Sequence, residues 1–265
     1  QTLRAAKRFR SPDRTPYQLR VGVDHTVPAP WTKISRKAEY VFDIWEREYT
    51  FGDGPFPVRI TSGNDLILLQ SPVLMLNTGS GIQPVLWRDF KITEQHDDVV
   101  KFSGNGTTGG LKFSWESELY FDGALLCRIS MIPATKPISI EHLSLNWIMP
   151  SQFAEKLLTP LYENWNCREG ESFKMAYQHP GDFILWLLGD NKGLCWWPRS
   201  NANWKLAPAS KPFTLKPTGK SVSVQAEFIN TVAVLTKPAV YTMAFMATPG
   251  RPLPDKWRDF NYGWG

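Results

Sequence analysis

Glu116 and Glu118 stand two residues apart in the run LKFSWESELY, so an extended strand projects both from one face about 7 Å apart. Glycoside hydrolysis uses two carboxyl groups flanking the scissile bond, one protonated and one ionised, and this spacing permits that chemistry without specifying it. Such pairs also decorate ordinary solvated sheet faces, so no residue is assigned as catalytic. The four histidines, His25, His96, His142 and His179, show neither H-x-H nor H-x-x-x-H spacing, and no metal site is expected. Cys127, Cys167 and Cys195 form no C-x-x-C pair and are odd in number, which argues against a disulfide framework or a cysteine zinc site. There is no G-x-S-x-G for a nucleophilic serine, and the glycine-rich stretch Gly104 to Gly110 lacks the lysine of a phosphate loop. That stretch reads as a hairpin tip. No cofactor is expected.

Aromatic clustering is more informative. The segment DNKGLCWWPR, Asp190 to Arg199, is followed by Asn203-Trp204 and places three indoles close in sequence beside amides and charges. Adjacent Trp196 and Trp197 must point to opposite faces of a strand, one inward and one outward. An outward indole flanked by polar groups can stack on a sugar ring, so Trp196, Trp197, Trp204, Arg199 and Asp190 are the glycan-contact candidates. Packing against a partner sheet or a neighbouring domain is the alternative use of the same indoles.

The elements that would position these residues are strands. Hydrophobic residues make up 42% and charged residues 21% of the 265 residues, a composition that folds around a core. The alternation of Lys112, Ser114, Glu116 and Glu118 with Phe113, Trp115 and Leu119, followed by Phe121-Asp122-Gly123 and Ala124 to Ile132, predicts a hairpin with one solvated face. Val222, Val224, Ala226 and Phe228 interleave with polar residues in the same way. Further strands are expected at Ala38 to Phe51, Phe56 to Thr61, Asp65 to Leu76, Ile82 to Thr93, Val99 to Ser103 and Ile138 to Met149. Others should cover Phe183 to Leu188, Leu194 to Trp197 and Val240 to Met246. Turns are expected at Ser62-Gly63-Asn64, Asn77 to Gly81 and Gly104-Asn105-Gly106. One short helix is expected at Gln152 to Leu158, capped by Ser151 and stopped by Pro160.

The fold class is therefore all-β, a large antiparallel β-sandwich with at most one short helix. Residues 1–37 form a basic, proline-punctuated arm with a short edge strand at Gln18 to Val23, residues 38–250 the sandwich, and residues 251–265 a linker toward a further domain. Two sandwiches meeting near residues 135–150 is the alternative division. The net charge of +5 is concentrated at Arg4, Lys7, Arg8, Arg10 and Arg14, which read as a solvated terminus and not as a nucleic-acid groove. No run approaches the roughly 20 apolar residues of a membrane helix, so no membrane insertion is expected. The chain opens on Gln, which suggests a processed or excised piece.

Four ordered segments, YVFDIWEREYTFGDGPFP (Tyr40 to Pro57), WESELYFDG (Trp115 to Gly123), DNKGLCWW (Asp190 to Trp197) and AFMATPGRPLPDKW (Ala244 to Trp257), resemble the amino-terminal β-sandwich region of large bacterial glycoside-hydrolase-like proteins around glycoside hydrolase family 123. In that group the sandwich precedes a (β/α)8 barrel that carries the catalytic carboxylates, so no catalytic residue transfers to this chain. The resemblance implies a non-catalytic accessory module, partnered by a catalytic barrel of a longer chain and by glycan, in an extracellular or periplasmic setting. Two rivals remain. A self-contained lyase or mutarotase-like enzyme on a supersandwich would bring His142 or His179 to two carboxylates in a cleft. A structural or adhesive domain of a surface protein would need neither.

Overall fold

The computed structural model describes residues 24–251 apart from 135, 160, 161, 167–170, 174–183 and 209. The arm before Asp24 with its expected edge strand, Cys167, His179 and the tail beyond Arg251 lie outside the described residues.

In chain order, β1 (Ser35–Ala38), β2 (Val41–Ile44), β3 (Arg47–Phe51), β4 (Pro57–Ser62) and β5 (Asp65–Leu68) form a five-stranded meander. Next come β6 (Gln70–Asn77), β7 (Ile82–Pro84), β8 (Leu86–Gln95), β9 (Val99–Thr108), β10 (Leu111–Tyr120) and β11 (Ala124–Ile132). They are followed by β12 (Ile138–Ile140), β13 (His142–Pro150), β14 (Lys156–Thr159), β15 (Tyr162–Asn166) and β16 (Glu171–Phe173). The chain closes with β17 (Leu185–Leu188), β18 (Gly193–Pro198), β19 (Phe213–Thr218), β20 (Ser221–Ile229), β21 (Ala233–Leu235) and β22 (Ala239–Thr248). Nine strands pair in the order β15-β14-β17-β18-β22-β11-β10-β9-β8, six in the order β16-β19-β20-β13-β6-β7, and β12 pairs with β21. The ladders between these strands are antiparallel, as the all-β expectation requires.

Period-two alternation explains which face of the nine-stranded sheet is buried. In β10, Leu111, Phe113, Trp115, Ser117 and Leu119 are buried while Lys112 and Glu116 are exposed. Leu125, Cys127, Ile129 and Met131 continue the buried face in β11, and Tyr241, Met243 and Phe245 in β22. This inner face meets both smaller sheets. Against the six-stranded sheet, Trp147 lies 5.7 Å from Trp196 and 5.8 Å from Phe245, ring centre to ring centre. Against the five-stranded meander, Phe102 lies 5.3 Å from Phe42 and 4.7 Å from Phe51. The buried residues of all three sheets form one continuous cluster, a sandwich with one broad layer facing two narrower ones. Each fully buried indole or phenyl ring contributes hydrophobic stabilisation on the order of 2–3 kcal/mol, and the aromatic contacts add to it.

Several local expectations are corrected. The helix expected at Gln152 to Leu158 is a single 3-10 turn, Ser151–Phe153, without a side-chain cap, and Lys156–Thr159 is strand β14 paired with β17. Sheet pairing overrides the weak local preference there. Gly104-Asn105-Gly106 is not a turn but lies within β9, and the reversal falls at Gly109-Gly110, with φ of 54° and 78°. A Cβ on Gly104 would stand 2.6 Å from the Trp115 ring, and one on Gly106 would stand 2.5 Å from Trp87. These strand glycines let two indoles lie flat on the backbone. The run Ala38 to Phe51 contains two hairpin reversals, one of them at Trp45 (φ 25°) and Glu46 (φ 60°).

Candidate functional site

On the outer face of the nine-stranded sheet, side chains from β8, β9, β10 and β11 enclose a recess of about 440 Å³. Asp89, Lys91, Ser103, Asn105, Ser114, Glu116, Arg128 and Ser130 line it, with Gly104 and Trp115 completing the lining. Register explains the assembly. Glu116 pairs with Arg128 on one side and Ser103 on the other, and Ser103 pairs with Lys91. One step along, Ser130 pairs with Ser114 and Ser114 with Asn105. Serines between the charged residues keep the floor low, so the longer side chains stand as walls.

Asp89 enters by a backbone irregularity. The β8–β9 register slips between Arg88 and Lys91, and Asp89 itself sits at φ 60°. A bulge of this kind re-aims one side chain and leaves the flanking pairs in place. Its carboxylate accepts a hydrogen bond from Asn105 Nδ2 at 3.1 Å, and Arg88 Nε lies 3.7 Å away. Phe90, the next residue, turns inward against Phe102 and Trp115 and anchors the bulge to the core.

The walls are chemically open. Glu116 and Arg128 are directly opposed in register, yet among the described residues neither they nor Lys91 closes an ion pair within 4 Å or a side-chain hydrogen bond. Charges elsewhere on the surface do pair: Lys101 holds Glu94 at 2.7 Å and draws its carboxyl below the ordinary range. Glu118, the neighbour of Glu116 on the same face, accepts a hydrogen bond from the Tyr120 hydroxyl, and Tyr120 is pushed up to about 12 by burial and by that carboxylate. Glu118 is thus engaged while Glu116 is open. The two carboxylates that line the recess are Asp89 and Glu116, not Glu116 and Glu118.

The tryptophan segment divides between layers. Trp196 is 1% exposed and packs on Trp147 and Phe213. Trp204 is 8% exposed and packs on Phe213 and Phe228. Neither offers an open ring face. Trp197 is half-buried and shares the outer face with the recess, because it pairs with Ala244, Ala244 with Leu126, and Leu126 with Glu118. Arg199 follows it, exposed, its backbone N–H donating to Thr242 at 2.8 Å. Asp190 lies at the opposite end of β18, where it meets Lys156 at 3.2 Å, so the fold does not bring it to Arg199.

His142 lies on the outer face of the other layer. Its Nε2 meets Ser144 Oγ at 2.9 Å and its Nδ1 is 3.8 Å from Glu227, while Asn146 Nδ2 also donates to Ser144 Oγ at 3.1 Å. The order acid, histidine, serine invites a nucleophilic reading, but Ser144 is 0% exposed and closed to any substrate. One carboxylate, not two, approaches His142 among the described residues. A second recess, about 320 Å³, is bordered by Met131, Ile140, Val234 and Tyr241 with Lys205 and Lys237, and holds no acid. Among the described residues no cluster of histidine, cysteine and acidic groups could hold a metal ion.

No family model and no curated protein matches the chain. Among solved structures, a galactose mutarotase related enzyme from Lactobacillus acidophilus aligns with 82% of this chain and 97% of its own, at 8% identity and a TM-score of 0.47. A candidate aldose 1-epimerase from Escherichia coli K12 aligns with 82% of this chain and 99% of its own, at 5% identity and a TM-score of 0.46. An amine oxidase of Aspergillus nidulans aligns with 96% of this chain and 57% of its own, at 8% identity and a TM-score of 0.49. Likeness at this level transfers no activity.

Proposed function

We propose that the outer recess binds carbohydrate and that the sandwich is a sugar-recognition module of a carbohydrate-active protein. The observation that carries this reading is the pair Glu116 and Arg128, opposed in register and, among the described residues, without an ion pair, on the wall of a 440 Å³ recess. A pyranose presents hydroxyls that each donate and accept. A carboxylate accepts from them, a guanidinium donates in a fixed fork, and Asn105 and the serines do both. Lys91 and Asp89 repeat the donor and acceptor set on the far wall. The volume suits one sugar unit within the ordinary range of ligand sites. Position at the amino end of a longer carbohydrate-active chain, as the family 123 resemblance implies, is part of this proposal.

Calorimetric titration with a panel of monosaccharides and short oligosaccharides tests it. Binding abolished by Glu116→Gln or Arg128→Met, with the circular dichroism spectrum unchanged, is the expected result.

A second reading is proton transfer at an anomeric centre within the same recess. It is favoured by Asp89 and Glu116, the two carboxylates that line the recess, standing on strands separated by β9. Polarimetric decay of freshly dissolved α-galactose and α-glucose distinguishes the two. A rate accelerated by the protein and lost in Glu116→Gln supports catalysis, and an unaltered rate with retained binding supports recognition alone.

A further inference from the structure

We infer that Trp197 forms a second sugar subsite on the same sheet face, so that the ligand is an oligosaccharide lying across the strands and not a single sugar. This rests on the sugar-binding reading of the recess. The ladders β18–β22, β22–β11 and β11–β10 place Trp197, Ala244, Leu126 and Glu118 in one row. The adjacent row, two residues along each strand, runs from Thr242 through Arg128 and Glu116 to Ser103 and Lys91. Trp197 is therefore two strand spacings from the column that carries Arg128, about 10 Å across the sheet, and about 7 Å along it. Trp197 is not among the residues that line the recess, so a ring seated there leaves the indole to another sugar unit.

The intervening residues are mixed, and the first of them is covered by its surroundings. Ala244 is 1% exposed and lies between Trp197 and Leu126, and Thr242 lies between Arg128 and the position of Arg199. Period-two alternation returns Arg199 to the face of Trp197, past the inward Pro198. Among the described residues no aromatic ring stacks on Trp197, whereas Trp196, its inward neighbour, contacts two rings. A half-buried indole keeps part of its ring in solvent, and the apolar face of a sugar ring fits it. The chemistry specified is a neutral or mixed oligosaccharide with one ring on the Trp197 indole and another in the recess.

The test compares glucose and N-acetylglucosamine with cellotriose and chitotriose, and screens an array of other mono- and oligosaccharides, using the full chain. Affinity should rise from monosaccharide to trisaccharide. Trp197→Ala should lower affinity for the bound trisaccharide about tenfold and leave the monosaccharide unchanged, while Trp197→Phe should restore most of the loss. Glu116→Gln should abolish the binding of both ligands. Equal affinity for monomer and trimer in the wild-type chain, or a Trp197→Phe variant and a folded Trp197→Ala variant that both match wild type while Glu116→Gln loses binding, would overturn this inference and leave the recess standing. Binding indifferent to Glu116→Gln and Arg128→Met, or absent across the array, would overturn the recess and the platform together.

Discussion

Glu116 and Arg128 occupy opposed positions in the β10–β11 ladder and do not form an ion pair. Opposite charges in that relation ordinarily add a few tenths of a kcal/mol to a sheet when they close on one another. Here their polar groups stand open on the wall of a recess. The pair therefore contributes little to folding, and exchanging Glu116→Gln or Arg128→Met should shift the unfolding free energy by less than about 0.5 kcal/mol in urea titration. A loss of several kcal/mol would make the pair structural.

Beneath the recess the Trp115 indole lies across Gly104. Gly104→Ala places a methyl group 2.6 Å from that ring, and neither the sheet backbone nor a buried indole can yield cheaply. The variant should lose about 1–3 kcal/mol of stability in chemical denaturation. Ala at exposed Gly81, where no atom lies within 4 Å but φ is 95°, should cost only its backbone strain, about 1 kcal/mol.

Alkaline pH should destabilise the fold. Burial and the Glu118 carboxylate raise Tyr120 to about 12, and burial raises Tyr49 and Tyr241 as well. A phenol whose folded value exceeds its unfolded value of about 10 favours the native state fully below pH 10. That contribution falls as the pH rises through the folded value. Spectrophotometric titration at the phenolate band should show tyrosines ionising late, together with loss of the near-ultraviolet dichroism. Ionisation of every tyrosine near 10 in a folded chain would contradict the burial described.

The thiols of Cys127 and Cys195 should be inert. Both are buried, Cys127 is pushed up to about 12 and Cys195 is also raised, in each case by burial. Ellman's reagent should therefore leave these two untouched in the native chain and react with them only after denaturation, as peptide mapping of the labelled product would show.

Much of the sheet was legible in the sequence because alternation is a local signal. The β10–β11 hairpin, with its Asp122-Gly123 turn, and the division of Trp196 from Trp197 follow from period two alone. Turns without glycine were not legible: Trp45 and Glu46 adopt positive φ where Asn-Gly would have advertised a reversal. The run Asp65 to Leu76 reads as one strand but leaves the meander for the six-stranded sheet near Leu69, whose N–H donates to Ile148. A chain that changes sheets without reversing carries no turn residue to mark the change. The recess was illegible for a different reason. Its residues lie up to 41 positions apart, from Asp89 to Ser130, and register alone gathers them. The bulge at Asp89 was the one local clue, and a polar residue between Arg88 and Phe90 does not announce a backbone in the left-handed region.

The most direct test of sugar binding by the recess is calorimetric titration of the wild-type chain and of folded Glu116→Gln and Arg128→Met variants against the glycans selected from the array. A sugar-binding recess requires saturable binding to the wild type and its loss in both variants with stability retained. Saturable binding that survives both substitutions, or no binding to any glycan, would contradict it.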